Sequence, residues 1–260
     1  MEELVKFQRL VAQVRNPLPA VLDRLGLRSK PYPVTIRDGT VMEIRPGTGD
    51  FFGFYEILLR GDYFASGQRL APGQTVIDVG ANIGCFTVAA ARRVGPTGHV
   101  YAFEPEESTF RQLQRNIEMN RLTNVTALRM AVGGSEGEIV LHADTNRLFS
   151  SIYAEVNGRA ITNGKEQHVP VITLDHLMTE QGISTCHYLK LDCEGAEHDI
   201  MAAMTAETAC RIEGITMEVH KVPGHDGKTL GLRLAALGFE RIGTSTLPHY
   251  ARKGPTPKTH

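Results

Sequence analysis

The run Thr75-Val76-Ile77-Asp78-Val79 leads through Gly80-Ala81-Asn82-Ile83-Gly84 into a small-residue segment from Phe86 to Arg93. β-Branched apolar residues read as a strand, the glycines as a tight turn, and 86–93 as a helix. Strand, turn and helix N-terminus is how an α/β protein presents backbone N–H groups to a ligand. The spacing D-x-G-x-N-x-G differs from the G-x-G-x-x-G of nicotinamide and flavin proteins, and no lysine follows the last glycine as in a P-loop. An acid in place of a third glycine suits a ligand with a positive amino group, of which S-adenosylmethionine is one. Asp78 falls at the carboxyl end of its strand, where such sheets bind ligands. Gly80 permits the sharp turn and a close approach of the ligand. Gly84 opens the helix, with its dipole toward the ligand.

Three further runs end in acids. His99-Val100-Tyr101-Ala102-Phe103-Glu104-Pro105 closes on Glu104, 24 residues beyond Gly80. An acid about 20 residues after such a turn is placed to accept hydrogen bonds from ribose hydroxyls. In Tyr188-Leu189-Lys190-Leu191-Asp192-Cys193-Glu194-Gly195-Ala196-Glu197, Asp192 and Glu194 are two apart and share a side if the chain stays extended. Glu197 falls in the next helix's first turn, where capping and a functional role are equally expected. Thr216-Met217-Glu218-Val219-His220 ends in an acid and an imidazole on the same functional edge. His99, His142, His168, His176, His187 and His198 read as structural.

Methyl transfer from a sulfonium is an in-line displacement, so the protein mainly aligns the reactants and excludes water. An alcohol acceptor also loses a proton, and Asp192, Glu194 and His220 are the candidate bases. His220 is the first choice, since an imidazole of pKa about 6.5 is mostly neutral at pH 7. Asp192 is then the orienting acid. Magnesium on these carboxylates would acidify a bound hydroxyl, but that variant is not favoured and no metal set is assigned.

The elements that must hold these residues alternate regularly. Strand 74–79, helix 84–93, strand 98–103, helix 106–120 and strand 124–130 are followed, after an interruption, by strand 186–192, helix 196–204, strand 212–219 and helix 226–237. Such alternation implies a mostly parallel sheet with helices on both faces. Residues 135–175 break it, with short strands over 138–142, 150–156 and 168–174, and read as an antiparallel β excursion at the sheet edge. Strands 238–243 and 246–251 finish antiparallel. Residues 1–72 lack the rhythm. A helical stripe over 2–14, a hairpin over 33–45 around Asp38-Gly39, and a helix to Leu59 with Asp50 as N-cap make an N-terminal cap. The expected organisation is a cap (1–72), a catalytic domain (73–253) and a frayed tail (254–260).

The chain has 260 residues, 42% hydrophobic and 22% charged, which is ordinary for a soluble globular protein with one sizeable core. A net charge of −1 argues against a nucleic-acid or anionic-membrane partner. No apolar run approaches the roughly 20 residues of a membrane span. Residues 1–15 lack a signal-peptide pattern. The four cysteines, Cys85, Cys186, Cys193 and Cys210, form no C-x-x-C pair and read as buried small hydrophobes of a reducing cytoplasm. The patterns set no oligomeric state.

The combination V-I-D-V-G-A-N-I-G, F-E-P and L-K-L-D-C-E-G-A-E resembles the FkbM family of S-adenosylmethionine-dependent methyltransferases over about residues 56–222. The L-K-x-D-x-E-G-x-E element is the specific part, and the glycine turn alone says only class I methyltransferase. The resemblance implies a Rossmann-like, seven-stranded sheet and methylation of a hydroxyl on a small molecule, a polyketide or a sugar. It implies that Asp78, Gly80, Asn82 and Gly84 line the cofactor's methionine side, that Glu104 holds its ribose, and that Asp192 and its neighbours lie beside the transferred methyl. Acceptor selection is expected in the 1–72 segment and the C-terminal tail. Enzymes that methylate exocyclic amines of bases carry an acid or asparagine, two prolines and an aromatic where this chain has Asp192-Cys193-Glu194-Gly195, which again argues against nucleic acid. Two rival readings are a nicotinamide-dependent oxidoreductase, disfavoured by the glycine spacing, and a cofactor-binding protein without turnover, disfavoured by the intact strand-end acids.

Overall fold

The computed structural model describes residues 2–64, 70–143, 150–151, 153, 155–160, 165–244 and 247–253. The chain opens with α1 (Glu2–Gln13), α2 (Leu18–Arg24) and the antiparallel pair β1 (Tyr32–Thr35) and β2 (Val41–Ile44). The short α3 (Asp50–Gly53) continues into a π-helix, Phe54–Arg60, which Gly61 ends in the left-handed region at φ 78°. Asp50 is not the N-cap expected of it. Gly49 holds that position, and the Asp50 carboxylate is taken by the Arg45 guanidinium at 2.8 Å, with both side chains buried.

The main sheet follows: β3 (Thr75–Val79), α4 (Cys85–Val94), β4 (His99–Phe103), α5 (Glu107–Met119) and β5 (Val125–Leu128). The excursion holds β6 (Ala131–Val132), β7 (Gly137–Ala143), β8 (Ser150–Ser151), β9 (Glu155–Val156), β10 (Arg159–Ala160) and β11 (Lys165–Ile172). The second half contains α6 (Leu174–Glu180), β12 (Tyr188–Leu191), α7 (Glu197–Ala203), α8 (Ala206–Cys210), β13 (Gly214–Met217), α9 (Gly227–Ala236), β14 (Phe239–Ile242) and β15 (His249–Arg252).

Seven strands form one sheet in the order β14-β15-β13-β12-β3-β4-β5. The pairs β5–β4, β4–β3, β3–β12 and β12–β13 are parallel, and β15 runs antiparallel between β13 and β14. This is the Rossmann-like, mostly parallel seven-stranded sheet that the resemblance implies. The chain reverses its direction of travel across the sheet between β3 and β12, and a crevice at such a switch point is where open α/β sheets bind ligands.

The period of two along each strand divides the sheet into two faces. Ile77, Val79, Leu189, Leu191, Ile215 and Met217 pack with Leu177, Ile200, Met201, Leu230 and Leu234 from α6, α7 and α9. On the other face Val76, Val100 and Tyr188 pack with Phe86, Ala90 and Val94 of α4 and with Tyr63. The cap joins this second layer: Tyr32, Val34, Ile44, Phe54 and Leu59 share one buried cluster with Ile83, Cys85 and Val88.

The excursion forms two sheets apart from the main one: β6-β11-β7-β8, with β7 antiparallel and β6 parallel to β11, and the antiparallel pair β9–β10. The strand expected over 168–174 stops at Ile172, because the Thr173 hydroxyl accepts the His176 N–H and caps α6. Of the strand expected over 150–156, only the separate β8 and β9 form. Residues 144–149, 152, 154 and 161–164 of the excursion, position 246 of the last strand and the 254–260 tail lie outside the described residues. Cys85 and Cys186 are buried as expected, whereas Cys193 is half-buried and Cys210 exposed.

Candidate active site

Gly80 lies at φ 74°, and a side-chain carbon there would fall 1.8 Å from the Asp192 carbonyl oxygen. Only glycine lets the ends of β3 and β12 approach this closely. Gly84, at φ 91°, serves packing in the same way, since a Cβ would meet a Leu113 methyl at 2.6 Å. The N–H groups of the turn are not free as the sequence implied. Gly80 and Ala81 donate to the Phe103 carbonyl, Asn82 to Glu104 Oε2 at 2.8 Å, Ile83 to the Asn82 side chain and Gly84 to Ala81. Asn82 holds φ 50°, a left-handed conformation asparagine tolerates.

Beyond the turn opens a cavity of about 870 Å³. Gly80 and Asn82 stand on its wall with Lys190, Asp192, Glu194, Glu218 and His220, so three strand ends converge there. Glu56, Ile57, Arg60 and Tyr63 of the N-terminal segment line it too, as does Asn157 of the excursion. Asp78, Gly84 and Glu104 do not reach this wall.

Asp78 is fully buried. Its Oδ2 accepts from the Thr87 hydroxyl at 2.5 Å and its Oδ1 sits 3.0 Å from Lys190 Nζ. Lys190 and Asp78 are register partners across β12 and β3. The Lys190 ammonium also donates to the Gly80 carbonyl at 2.7 Å and lies 3.7 Å from Asp192 Oδ2. Burial opposes that charge, but Asp78 and Asp192 outweigh it and raise the pKa. Asp192 accepts in addition from the Tyr63 hydroxyl at 2.8 Å.

Glu104 is buried and accepts the N–H groups of Asn82 and Glu106. Burial outweighs these bonds and pushes its pKa up to about 7. The neighbouring Glu106, not Glu104, caps α5 through Ser108 and Thr109.

The second cluster surrounds His220. Its Nδ1 lies 2.8 Å from Glu197 Oε1, which also accepts the His220 backbone N–H. Glu197 Oε2 accepts the Gly195 N–H, so one fully buried carboxylate both steadies the start of α7 and holds the imidazole. Despite burial, the bonds from His220 keep the Glu197 pKa low. His220 Nε2 points to Glu194 Oε2 at 3.3 Å. Burial works against an imidazolium, but Glu197, Glu194 and Asp192 overcome it and carry the His220 pKa up to about 9. The expected neutral imidazole at pH 7 is therefore replaced by a charged one. Glu194 shows the converse effect: burial raises its pKa to about 8 against the pull of His220. Its backbone is held at φ 53°, with the Ser151 hydroxyl on its carbonyl, the kind of local strain that persists at functional sites. Ligand atoms of Asp192, Glu218 and His220 lie within 4.8 Å of one another.

Three of the histidines read as structural have protein partners. His99 meets the Thr126 hydroxyl, His187 accepts the Thr75 N–H, and His198 meets the His220 carbonyl. Sequence reasoning missed Tyr63 and Lys190. The signal for Lys190 was a lone charge inside the apolar strand Tyr188-Leu189-Lys190-Leu191. Tyr63 left none, because its contact with Asp192 spans 129 positions.

The glycine turn and the strand-end acids lie inside the stretch 78–241 that matches the Methyltransferase FkbM domain. The chain belongs to the FkbM methyltransferase family. It is 28% identical to the 31-O-demethyl-FK506 methyltransferase FkbM of Streptomyces tacrolimicus, over 77% of this chain and 85% of that one. It is 28% identical to Methyltransferase 1 of Beauveria bassiana, over 63% of this chain and 71% of that one. Among solved structures, a precorrin-6y C5,15-methyltransferase from Geobacter metallireducens aligns with 13% identity and a TM-score of 0.43, covering 75% of this chain and 89% of that chain. Among the described residues, no helix is long and apolar enough to cross a membrane.

Proposed function

We propose that this methyltransferase takes its methyl group from S-adenosylmethionine and delivers it to a hydroxyl oxygen of a small molecule. The observation that carries the reading is the cavity at the switch point, with the glycine turn on one wall and Asp192, Glu194 and Glu218 on another. S-Adenosylmethionine bears a sulfonium and an ammonium, and this donor set is chosen for cations. The N–H groups of the turn are spent on Phe103, Glu104, Asn82 and Ala81, which disfavours the pyrophosphate of a dinucleotide.

Gly80, Asn82 and Asp192 are the residues that would hold the methionine end. Glu104 lies off the cavity wall but retains acceptor capacity beside its two N–H partners, so its part in holding the ribose requires the sugar to extend past Asn82 out of the cavity. Asp78 acts on this region through Lys190. When bound, the cofactor supplies an electrophilic methyl group, and the protein aligns an oxygen with it and removes that oxygen's proton.

Glu194 is our choice for the base in place of His220. Glu197 keeps His220 charged, and the imidazolium orients Glu194 through Nε2. Asp192, held by Tyr63, orients the acceptor hydroxyl. A relative named for transfer to an O-demethyl substrate supports oxygen as the receiving atom. The N-terminal segment, through Glu56, Ile57 and Arg60, and the excursion, through Asn157, form the acceptor side.

Calorimetric titration with S-adenosylhomocysteine and with NAD tests the cofactor. Saturable binding of the first alone is expected. Binding of NAD alone would overturn the reading.

A further inference from the structure

We propose that Lys190 is a positioning residue: its buried ammonium locks the Gly80 carbonyl, and with it the cofactor turn, to the strand that carries Asp192. The proposal rests on the methyl-donor reading given above. Three acceptors surround one Nζ. The Gly80 carbonyl is at 2.7 Å, Asp78 Oδ1 at 3.0 Å and Asp192 Oδ2 at 3.7 Å. An ammonium has three donors. One is spent on the Gly80 carbonyl, Asp78 Oδ1 pairs with the charge as a close ion pair, and Asp192 lies across a gap too long for a direct bond. Tyr63 and Phe86 present their rings at 5.5 and 5.9 Å and shield the charge from water.

Fold stability alone does not call for this arrangement. A buried ion pair is often no better than apolar side chains of the same volume. The neighbours of Lys190 in β12 are apolar, and so is most of the face it shares with Val76, Val100 and Tyr188. What apolar side chains cannot supply is a donor to the carbonyl of Gly80. That residue has no side chain of its own, sits at φ 74°, and lies against the Asp192 carbonyl. The same cation fixes the position of the turn and supplies positive charge beside Asp192. One side chain therefore couples the cofactor wall of the cavity to the acceptor wall. A misplacement of about 1 Å in such a constellation can cost about 100-fold in rate.

The test compares the full-length wild type, Lys190→Met, and the double variant Asp78→Asn with Lys190→Met. Urea unfolding and S-adenosylhomocysteine affinity by calorimetry are measured on each. Lys190→Met strands the Asp78 charge, so its urea midpoint falls and its Kd rises about 10-fold or more. The double variant removes both charges. Its midpoint returns toward wild type while its Kd stays at least 10-fold weaker, because Gly80 has not regained its donor. Recovery of affinity together with stability would overturn the proposal and leave Lys190 as the counter-ion of Asp78. An unchanged Kd in folded Lys190→Met would overturn it as well. If neither variant folds, Lys190→Arg decides. A planar guanidinium cannot reproduce the single-point contact, so a Kd about 10-fold weaker is expected and an unchanged Kd overturns the proposal. Failure of the wild type to bind S-adenosylhomocysteine would refute the methyl-donor reading, and this proposal with it.

Discussion

Replacing Glu194 by Gln separates the base from its surroundings, because the side chain keeps its shape and loses only its ability to take a proton. Burial raises the Glu194 pKa to about 8. About one tenth of the molecules then carry a free carboxylate at pH 7 and about nine tenths at pH 9. The kcat/KM of the wild type should therefore rise through an inflection near pH 8 and turn over near pH 9, where His220 loses the charge that orients Glu194. In Glu194→Gln the rate at pH 9 should fall by about 100- to 10,000-fold and lose its dependence on pH. Stability moves the other way. The folded pKa lies above the ordinary 4.5, so the folded state favours the protonated form: this stability is fully present below about pH 4.5, is lost progressively as pH rises from there, and is gone above about 8. The cost of ionising the group in its buried site is on the order of a few kcal/mol at pH 9. Glu194→Gln should therefore unfold at higher urea than wild type at pH 9, by a smaller margin at pH 6, and at nearly the same urea at pH 4. The assay is methyl transfer followed by S-adenosylhomocysteine release, with urea unfolding in parallel. A flat wild-type profile, or a folded Glu194→Gln of normal rate, would refute the assignment of the base.

Three further outcomes are expected. Gly80→Ala should destabilise by about 2–5 kcal/mol, from the left-handed conformation plus the clash with the Asp192 carbonyl, as read from thermal or urea unfolding. Glu104→Ala should weaken S-adenosylhomocysteine by about 1.5–3 kcal/mol in calorimetry, and an unchanged Kd in the folded variant would remove Glu104 from the site. Activity should persist in excess chelator, because His220 is held charged by Glu197 and its Nε2 faces Glu194; loss of turnover that magnesium restores would make Asp192, Glu218 and His220 a metal centre.

The sheet was legible because parallel strands read as apolar runs, and β3, β4, β12 and β13 each carry an acid at the carboxyl end before the chain turns. Period and punctuation set β3, β4, β12 and β13 to within a residue or two. Elements defined by side-chain capping were not legible: α6 begins where Thr173 caps it, and Asp50 looked like a cap but serves Arg45. Asp192, Glu194 and His220, singled out by their strand-end positions, line one cavity. The state of His220 was not. It depends on Glu197, 23 positions away, closing on Nδ1 inside a buried pocket, and a sequence holds no distance. The free N–H groups expected of the glycine turn were lost for the same reason, since Phe103 and Glu104 reach them only once β4 pairs with β3.

Methyl transfer itself is the most direct measurement. Wild-type protein is incubated with S-adenosylmethionine carrying a carbon-13 methyl group and a panel of hydroxylated small molecules, and products are read by carbon-13 NMR and mass spectrometry. The account predicts a labelled methyl bound to oxygen in at least one acceptor, formed with an equal amount of S-adenosylhomocysteine and lost in Glu194→Gln. A labelled methyl found only on nitrogen or carbon, or retained in full on the donor across the panel, would contradict it.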